Sequence, residues 1–205
     1  MAEYLTVPGE TVAEIEVKKS KFIARLAPLS SSAEARAFLD RIRDENKRAR
    51  HNVHAFRLYD GGVGFSDDGE PQGTAGKPVM DVLAGSGIVN AGIVVTRYFG
   101  GILLGTGGLV RAYSDAARAV LDGSPVVTMQ SVFEYRCRFD YSRYGRISAL
   151  VPEFGGEIDD TIYSDNIDLV FYIPENRADS FSSALSELTL GAVKAERTGS
   201  GFRQK

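Results

Sequence analysis

The stretch AGIVVTRYFGGILLGTGGLVRAYSDAARAVL, residues 91–121, decides the first half of the chain. Residues 91–98 form a short apolar run rich in Ile93, Val94 and Val95, the pattern of a strand buried on both faces. Residues 99–105 break it with glycines. From residue 106 to 121, Leu109, Tyr113, Ala116, Ala117 and Val120 recur at helical spacing and build one apolar stripe. A buried strand feeding a helix through a glycine loop is the βα element around which the rest is arranged.

Upstream, residues 77–84 read as a short helix with Pro78 in its first turn, where a missing N–H costs nothing. Residues 60–76 read as a loop and residues 51–59 as a strand. A longer helix starts at Ser31, a capping residue type, and carries Ala35, Phe38, Leu39 and Ile42 on one stripe. Residues 10–17 and 21–27 read as strands parted by Lys18, Lys19 and Ser20. Downstream, the run DGSP at 122–125 is a breaker. Beyond it the rhythm is strand 132–139, helix 141–153, strand 157–163, strand 167–173, helix 176–188, strand 191–197. That βαββαβ order is the ferredoxin-like split unit. The expected fold is α+β with two domains, 1–128 and 129–205.

Composition sets limits. The chain has 205 residues, 43% hydrophobic and 25% charged, with net charge -3. These values exclude disorder, collagen-like repeats and coiled coil as whole-chain readings. The N-terminus lacks a basic leader followed by an apolar segment, and no apolar run reaches the roughly 18 residues of a membrane span, so a cytoplasmic protein without membrane contact is expected. The single cysteine, Cys137, lies in an alternating strand and reads as a half-buried thiol, not a nucleophile. Charge is uneven: residues 1–133 carry 15 basic and 15 acidic side chains, residues 134–205 carry 9 and 12. Glycine is uneven too, with 14 of the 22 between Gly61 and Gly108. A segment that uses glycine this often needs close backbone approach or positive φ repeatedly.

The glycine-rich segment does not carry a familiar nucleotide signature. The best P-loop window has Pro71 and Pro78 at defining positions, and neither Gly62-Val63-Gly64 nor Gly105-Thr106-Gly107 extends to a dinucleotide fingerprint. No P-loop or Rossmann nucleotide, no other cofactor and no metal is expected. Two anion signals remain. Gly105, Thr106, Gly107 and Gly108 open a helix whose free N–H groups can receive phosphate, with Arg111 one turn on and Arg97 at the end of the preceding strand. Tight helix–sheet packing explains the same glycines equally well. The run Arg41, Arg43, Lys47, Arg48, Arg50 and Arg57, with Lys21, forms a phosphate-tracking surface if its members share a face, and a solvated helix face if they do not. Asp67, Asp68 and Glu70 can supply an acid/base pair or hold a hard cation, but an Asp/Gly/Pro loop is also an ordinary turn. His51 and His54, three apart on a strand, point to opposite faces and do not share a metal.

The blocks SDDGEPQGTAGKP (66–78) and VVTRYFGGILLGTGGLVRAYSDA (94–116), with KKSKFIA (18–24) and ARHNVHAFRLYD (49–60), resemble the signature blocks of the YigZ/IMPACT family. The resemblance implies a first domain like the second domain of ribosomal protein S-five, also found in elongation factor G, followed by a ferredoxin-like domain similar to another domain of that factor. It points to RNA or ribosome association and to a role in translation, since eukaryotic members are translation regulators. Those members carry an additional RWD domain, for which the residues before Glu10 leave no room, and that puts their regulatory partnership in doubt here. The residues that match its blocks include Lys21, His51, His54, Asp67, Asp68, Gly69, Glu70, Gly73, Thr74, Gly76, Arg97, Gly105, Gly107, Gly108 and Arg111. Besides a protein-interaction module using the exposed face of the ferredoxin-like domain, the sequence leaves two functions open. One is a binding protein presenting Lys21, Arg48, Arg50, His51, His54, Arg97 and Arg111 beside Gly105–Gly108 to RNA phosphates. The other is an enzyme acting on a phosphorylated or peptide-like small molecule through Asp67, Asp68 and Glu70, although no constellation demands catalysis.

Overall fold

Apolar strands flanked by striped helices must bury both kinds of face, and this chain does so twice. The computed structural model describes residues 2–205, which divide into a unit spanning Tyr4–Val127 and a unit spanning Thr128–Lys205 with Ala2 and Glu3.

After a short strand β1 (Glu3–Thr6), the first unit contains β2 (Thr11–Val17), β3 (Ser20–Pro28), α1 (Ser32–Glu45), β4 (His51–Arg57), β5 (Val63–Ser66), α2 (Gly76–Gly85), β6 (Ala91–Tyr98) and α3 (Thr106–Asp122). Its antiparallel sheet runs β2-β3-β6-β4-β5. The apolar run 91–98 therefore sits at the centre, buried on both faces as its composition requires. Phe22, Ala24 and Leu26 of β3, Val53 and Ala55 of β4, and Ile93 and Val95 of β6 point to one side, where Val79 and Leu83 of α2 and Leu109, Tyr113 and Ala117 of α3 cover them. The opposite side packs Ala27 and Val94 under Phe38, Leu39 and Ile42 of α1. Alternation along β4 thus puts His51 on the α2/α3 side and His54 on the α1 side.

Start signals work locally. The Ser31 hydroxyl accepts the Glu34 N–H at 3.2 Å, and the Glu34 carboxylate reaches back to the Ser30 N–H at 2.7 Å, close to a capping box. The backbone bond from Ser30 holds the Glu34 carboxyl below its ordinary range. The hairpin between β2 and β3 turns on Lys18 and Lys19, both left-handed with φ 46° and 63°. Gly100 closes over that turn: a Cβ there would lie 2.0 Å from the Lys19 carbonyl carbon and oxygen, so only glycine fits.

The second unit holds β7 (Val127–Phe139), α4 (Tyr144–Glu153), β8 (Glu157–Tyr163), β9 (Ile167–Pro174), α5 (Ala178–Thr189) and β10 (Glu196–Gln204). Its strands run β10-β7-β9-β8, all antiparallel, which is the ferredoxin-like order. Ile147, Val151, Phe181 and Leu185 seal the sheet from one side against Phe171, Leu169 and Tyr135.

Three strand assignments change. Residues 60–76 contain β5, an exposed edge strand with Phe65 49% accessible. β1 lies before the first strand read from the sequence. The last strand begins at Glu196, not at 191, because Val193 enters the core as a loop residue while ERTGSGFRQ pairs through its backbone. Cys137 is fully buried, and burial, then the charge of Asp168, pushes its thiol up to about 12. No helix among the described residues is long and apolar enough to cross a membrane.

Candidate functional site

The loop from Ser66 to Gly76 brings its three carboxylates to three separate receptors. Asp67 closes the loop on itself and caps α2. One oxygen accepts the Ala75 and Gly76 N–H groups at 3.0 and 2.8 Å, the other the Gly73 N–H at 2.8 Å. Burial opposes its ionisation, but those three bonds hold the carboxyl below its ordinary value. Ala75, the residue at the cap position, has no side chain able to do this. Gly76 is needed because a Cβ would meet the Ser66 carbonyl carbon at 2.6 Å. Thr74 is buried and donates its hydroxyl to the Pro71 carbonyl at 2.6 Å. Asp68, at φ 42°, accepts Arg43 on one oxygen and the Asn52 N–H on the other, both at 2.6 Å. Gly69 follows at φ 85°, and Gly73 turns the chain at φ 75°. Both aspartates thus spend both oxygens on holding the loop in place.

Glu70 is the one the loop delivers inward. It is 8% exposed, and its Oε1 accepts from Arg97 Nη1 at 2.7 Å and from the Tyr113 hydroxyl at 2.8 Å. Arg97 is 7% exposed, with its guanidinium carbon 5.5 Å from the Phe22 ring centre and 5.6 Å from that of Phe99. Tyr113 packs edge-on against Phe22 at 5.2 Å, and burial, then the Glu70 charge, drives its phenol far above the usual range, so it serves as a fixed donor. Tyr113 reads from sequence only as a core position of α3. Its hydroxyl is the clue, since a tyrosine on a buried stripe needs a polar partner.

His51 pairs across the sheet with Arg97. Its Nδ1 lies 2.8 Å from the Asp68 carbonyl, which can only accept, so Nδ1 carries the proton. Nε2 stands 4.0 Å from Glu70 Oε1. His51, Arg97, Arg50, Phe99 and Leu103 line a pocket of about 190 Å³. In a larger groove of about 600 Å³ between α2 and α3, the lining Lys77 pairs with Asp81 and Arg118 with the neighbouring Asp115.

The cations do not act as one set. Arg97 is a buried ion-pair partner, not an open surface charge. Arg41 bonds Glu10 and Glu45, Arg43 bonds Asp68, and Arg57 donates to the Ala84 and Ile88 carbonyls. Lys21 pairs with Glu14 at 2.7 Å. His54 is turned to the α1 side, its Nδ1 buried without a partner, and burial, then Arg43, lowers its pKa. Lys47, Arg48, Arg50 and Arg111 are exposed and form no ion pair among the described residues. Gly105, at φ 74°, opens α3, whose first turn, Thr106 to Gly108, has no side-chain cap. The site that forms is therefore centred on Arg50, His51 and Arg97, with Glu70 and Tyr113 behind.

Residues 18–121 match the Impact N-terminal domain, and residues 137–192 match a domain of unknown function, DUF1949. The chain belongs to the IMPACT family. An IMPACT family member of Haemophilus influenzae is 40% identical over 201 residues, covering 94% of this chain and 96% of that protein. The IMPACT family member YigZ of Escherichia coli K12 is 38% identical over 195 residues, 92% of this chain and 95% of its own. A protein solved as the crystal structure of a hypothetical protein superposes with a TM-score of 0.68 at 35% identity, covering 96% of this chain and 98% of its own. The IMPACT protein of Xenopus laevis is similar over 104 residues, at 34% identity, which is 48% of this chain and 32% of that protein.

Proposed function

We propose that this IMPACT-family protein is a nucleic-acid- or ribosome-associated binding protein with a role in regulating translation, and that the Arg50/Phe99 end of its first unit is the contact surface. The observation that carries this reading is the pairing of an exposed, unpaired arginine with an exposed aromatic ring on one pocket. Phe99 is 53% accessible and Leu103 82%, beside Arg50, with Arg48 two residues before it. Cations that track phosphates and a ring on which a base stacks are the two components of single-stranded nucleic-acid binding. Membership of the IMPACT family, whose eukaryotic members are translation regulators, supports the same direction.

Fluorescence anisotropy on a single-stranded RNA, measured against salt, tests it. Arg48→Ala with Arg50→Ala should weaken binding and flatten the log–log salt dependence by about 1.4, two phosphate contacts at roughly 0.7 each. Phe99→Ala should lose about 1–3 kcal/mol of stacking with the slope unchanged. Affinity indifferent to both changes, together with nuclease-resistant capture of a protein from lysate, would replace this reading with a protein-interaction module.

A further inference from the structure

The pocket at Arg97 is better equipped than a strip of surface charge would need to be. Arg97 is over nine-tenths buried, yet among the described residues its guanidinium makes one side-chain hydrogen bond, from Nη1 to Glu70, and its Nε is buried with no partner. A buried Nε without a partner costs stability, because an unsatisfied buried donor forfeits its hydration. The guanidinium is also held still: Glu70 fixes one end, Phe22 and Phe99 lie near its carbon, and Tyr113 fixes Glu70. Around it stand Arg50, which has no ion pair, and His51, whose Nε2 makes no hydrogen bond while Nδ1 is committed to Asp68. Glu70 offsets the charge of Arg97, so Arg50 supplies the net positive charge at the mouth.

Resting on the RNA-binding reading above, we propose that this pocket seats a phosphate monoester, either the terminal phosphate of an RNA strand or that of a free small molecule. Its oxygens would lie against the Arg97 guanidinium and on Arg50. About 190 Å³ is ample for a phosphoryl group, and the exposed Phe99 and Leu103 lining the same pocket offer apolar surface to the adjoining base or other substituent. A monoester carries a charge of about -1.5 to -2 near neutrality and presents three terminal acceptor oxygens, where a diester has two and a single charge.

The test compares one oligoribonucleotide with a 5′-phosphate, a 3′-phosphate or hydroxyl ends, alongside titration with inorganic phosphate and ribose 5-phosphate. A phosphorylated end should bind about tenfold tighter than the hydroxyl-ended strand, the effect of one charge-assisted hydrogen bond. Arg50→Ala and Arg97→Lys should each abolish most of that ratio, while Arg48→Ala lowers all three affinities together and keeps it. Arg50 is exposed, so its variant remains informative if the Arg97 change unfolds the unit. Saturable binding of inorganic phosphate or ribose 5-phosphate, sensitive to Arg50→Ala but without advantage for phosphorylated RNA, identifies the free small molecule as the source. If no RNA binds while the small phosphates do, the RNA-binding reading fails and the pocket stands. Equal affinity for all three strands with no binding of either small phosphate overturns the proposal.

Discussion

Replacing Glu70 with glutamine isolates the charge that organises the site. The amide oxygen can still accept from Arg97 and Tyr113, so shape and hydrogen bonds are nearly kept, but the Arg97 guanidinium is left buried without a counter-charge. Breaking one side of a buried pair costs about 3–5 kcal/mol. Since the amide retains its contacts, and Phe22 and Phe99 still face the cation, the lower end, about 3 kcal/mol, is expected. The chain has two units, so a single melting temperature would mix them. Native-state hydrogen exchange on the full chain separates them, with β6 amides reporting the first unit and β9 amides serving as an internal reference. The expected loss of β6 protection is about a hundredfold, at roughly 1.4 kcal/mol per tenfold, with β9 unchanged. Glu70→Gln combined with Arg97→Met should cost less than the sum of the single changes, because no unpaired charge remains. A loss under about threefold at β6 for the single variant, or an equal loss at β9, would refute the account of Glu70 as the counter-charge that this fold requires.

Three further outcomes follow from the same geometry. Gly100→Ala would drive a methyl into the Lys19 carbonyl and should lower the stability of the first unit by about 3 kcal/mol or more, read as lost β3 and β6 protection. Asp67→Asn weakens the cap of α2 and should cost about 1 kcal/mol at neutral pH. Because the folded carboxyl of Asp67 lies below the ordinary 3.8, its contribution is full above that value and disappears as pH falls through the lower folded one; acid titration of α2 protection should therefore be flatter in Asp67→Asn than in the parent. Cys137, with its thiol at about 12, should resist a disulfide reagent at pH 8 in the native protein and react promptly once urea exposes it.

Hydrophobic pattern was most readable where burial is complete. The run 91–98 and the stripes of α1 and α3 placed the central strand and the helices that cover it, and the βαββαβ rhythm is the observed second fold. Strands held mainly by backbone pairing escaped. β5 exposes Val63 and Phe65, and β10 contains Gly199 and Gly201, so neither has a buried face to announce it. At the site, odd spacing correctly parted His51 from His54. Charge adjacency left the cation run undecided, since a run of arginines along the chain says nothing of which carboxylates the fold brings to them. Arg43 met Asp68 across 25 residues and Arg97 met Glu70 across 27, separations that no local pattern encodes.

The three acids of the 66–76 loop carry a lesson for anyone wishing to move it. Two of them are addresses whose recipients lie elsewhere, Asp68 on Arg43 and Asn52 and Glu70 on Arg97 and Tyr113, while Asp67 is answered from inside the segment. Transplanted alone into another protein, the segment would keep the start of a helix and lose the orientation of its glutamate. Transplanted with those four recipients, it becomes a self-consistent cassette, and alanine scanning across it would report on assembly at Asp67 and Asp68 and on the pocket at Glu70.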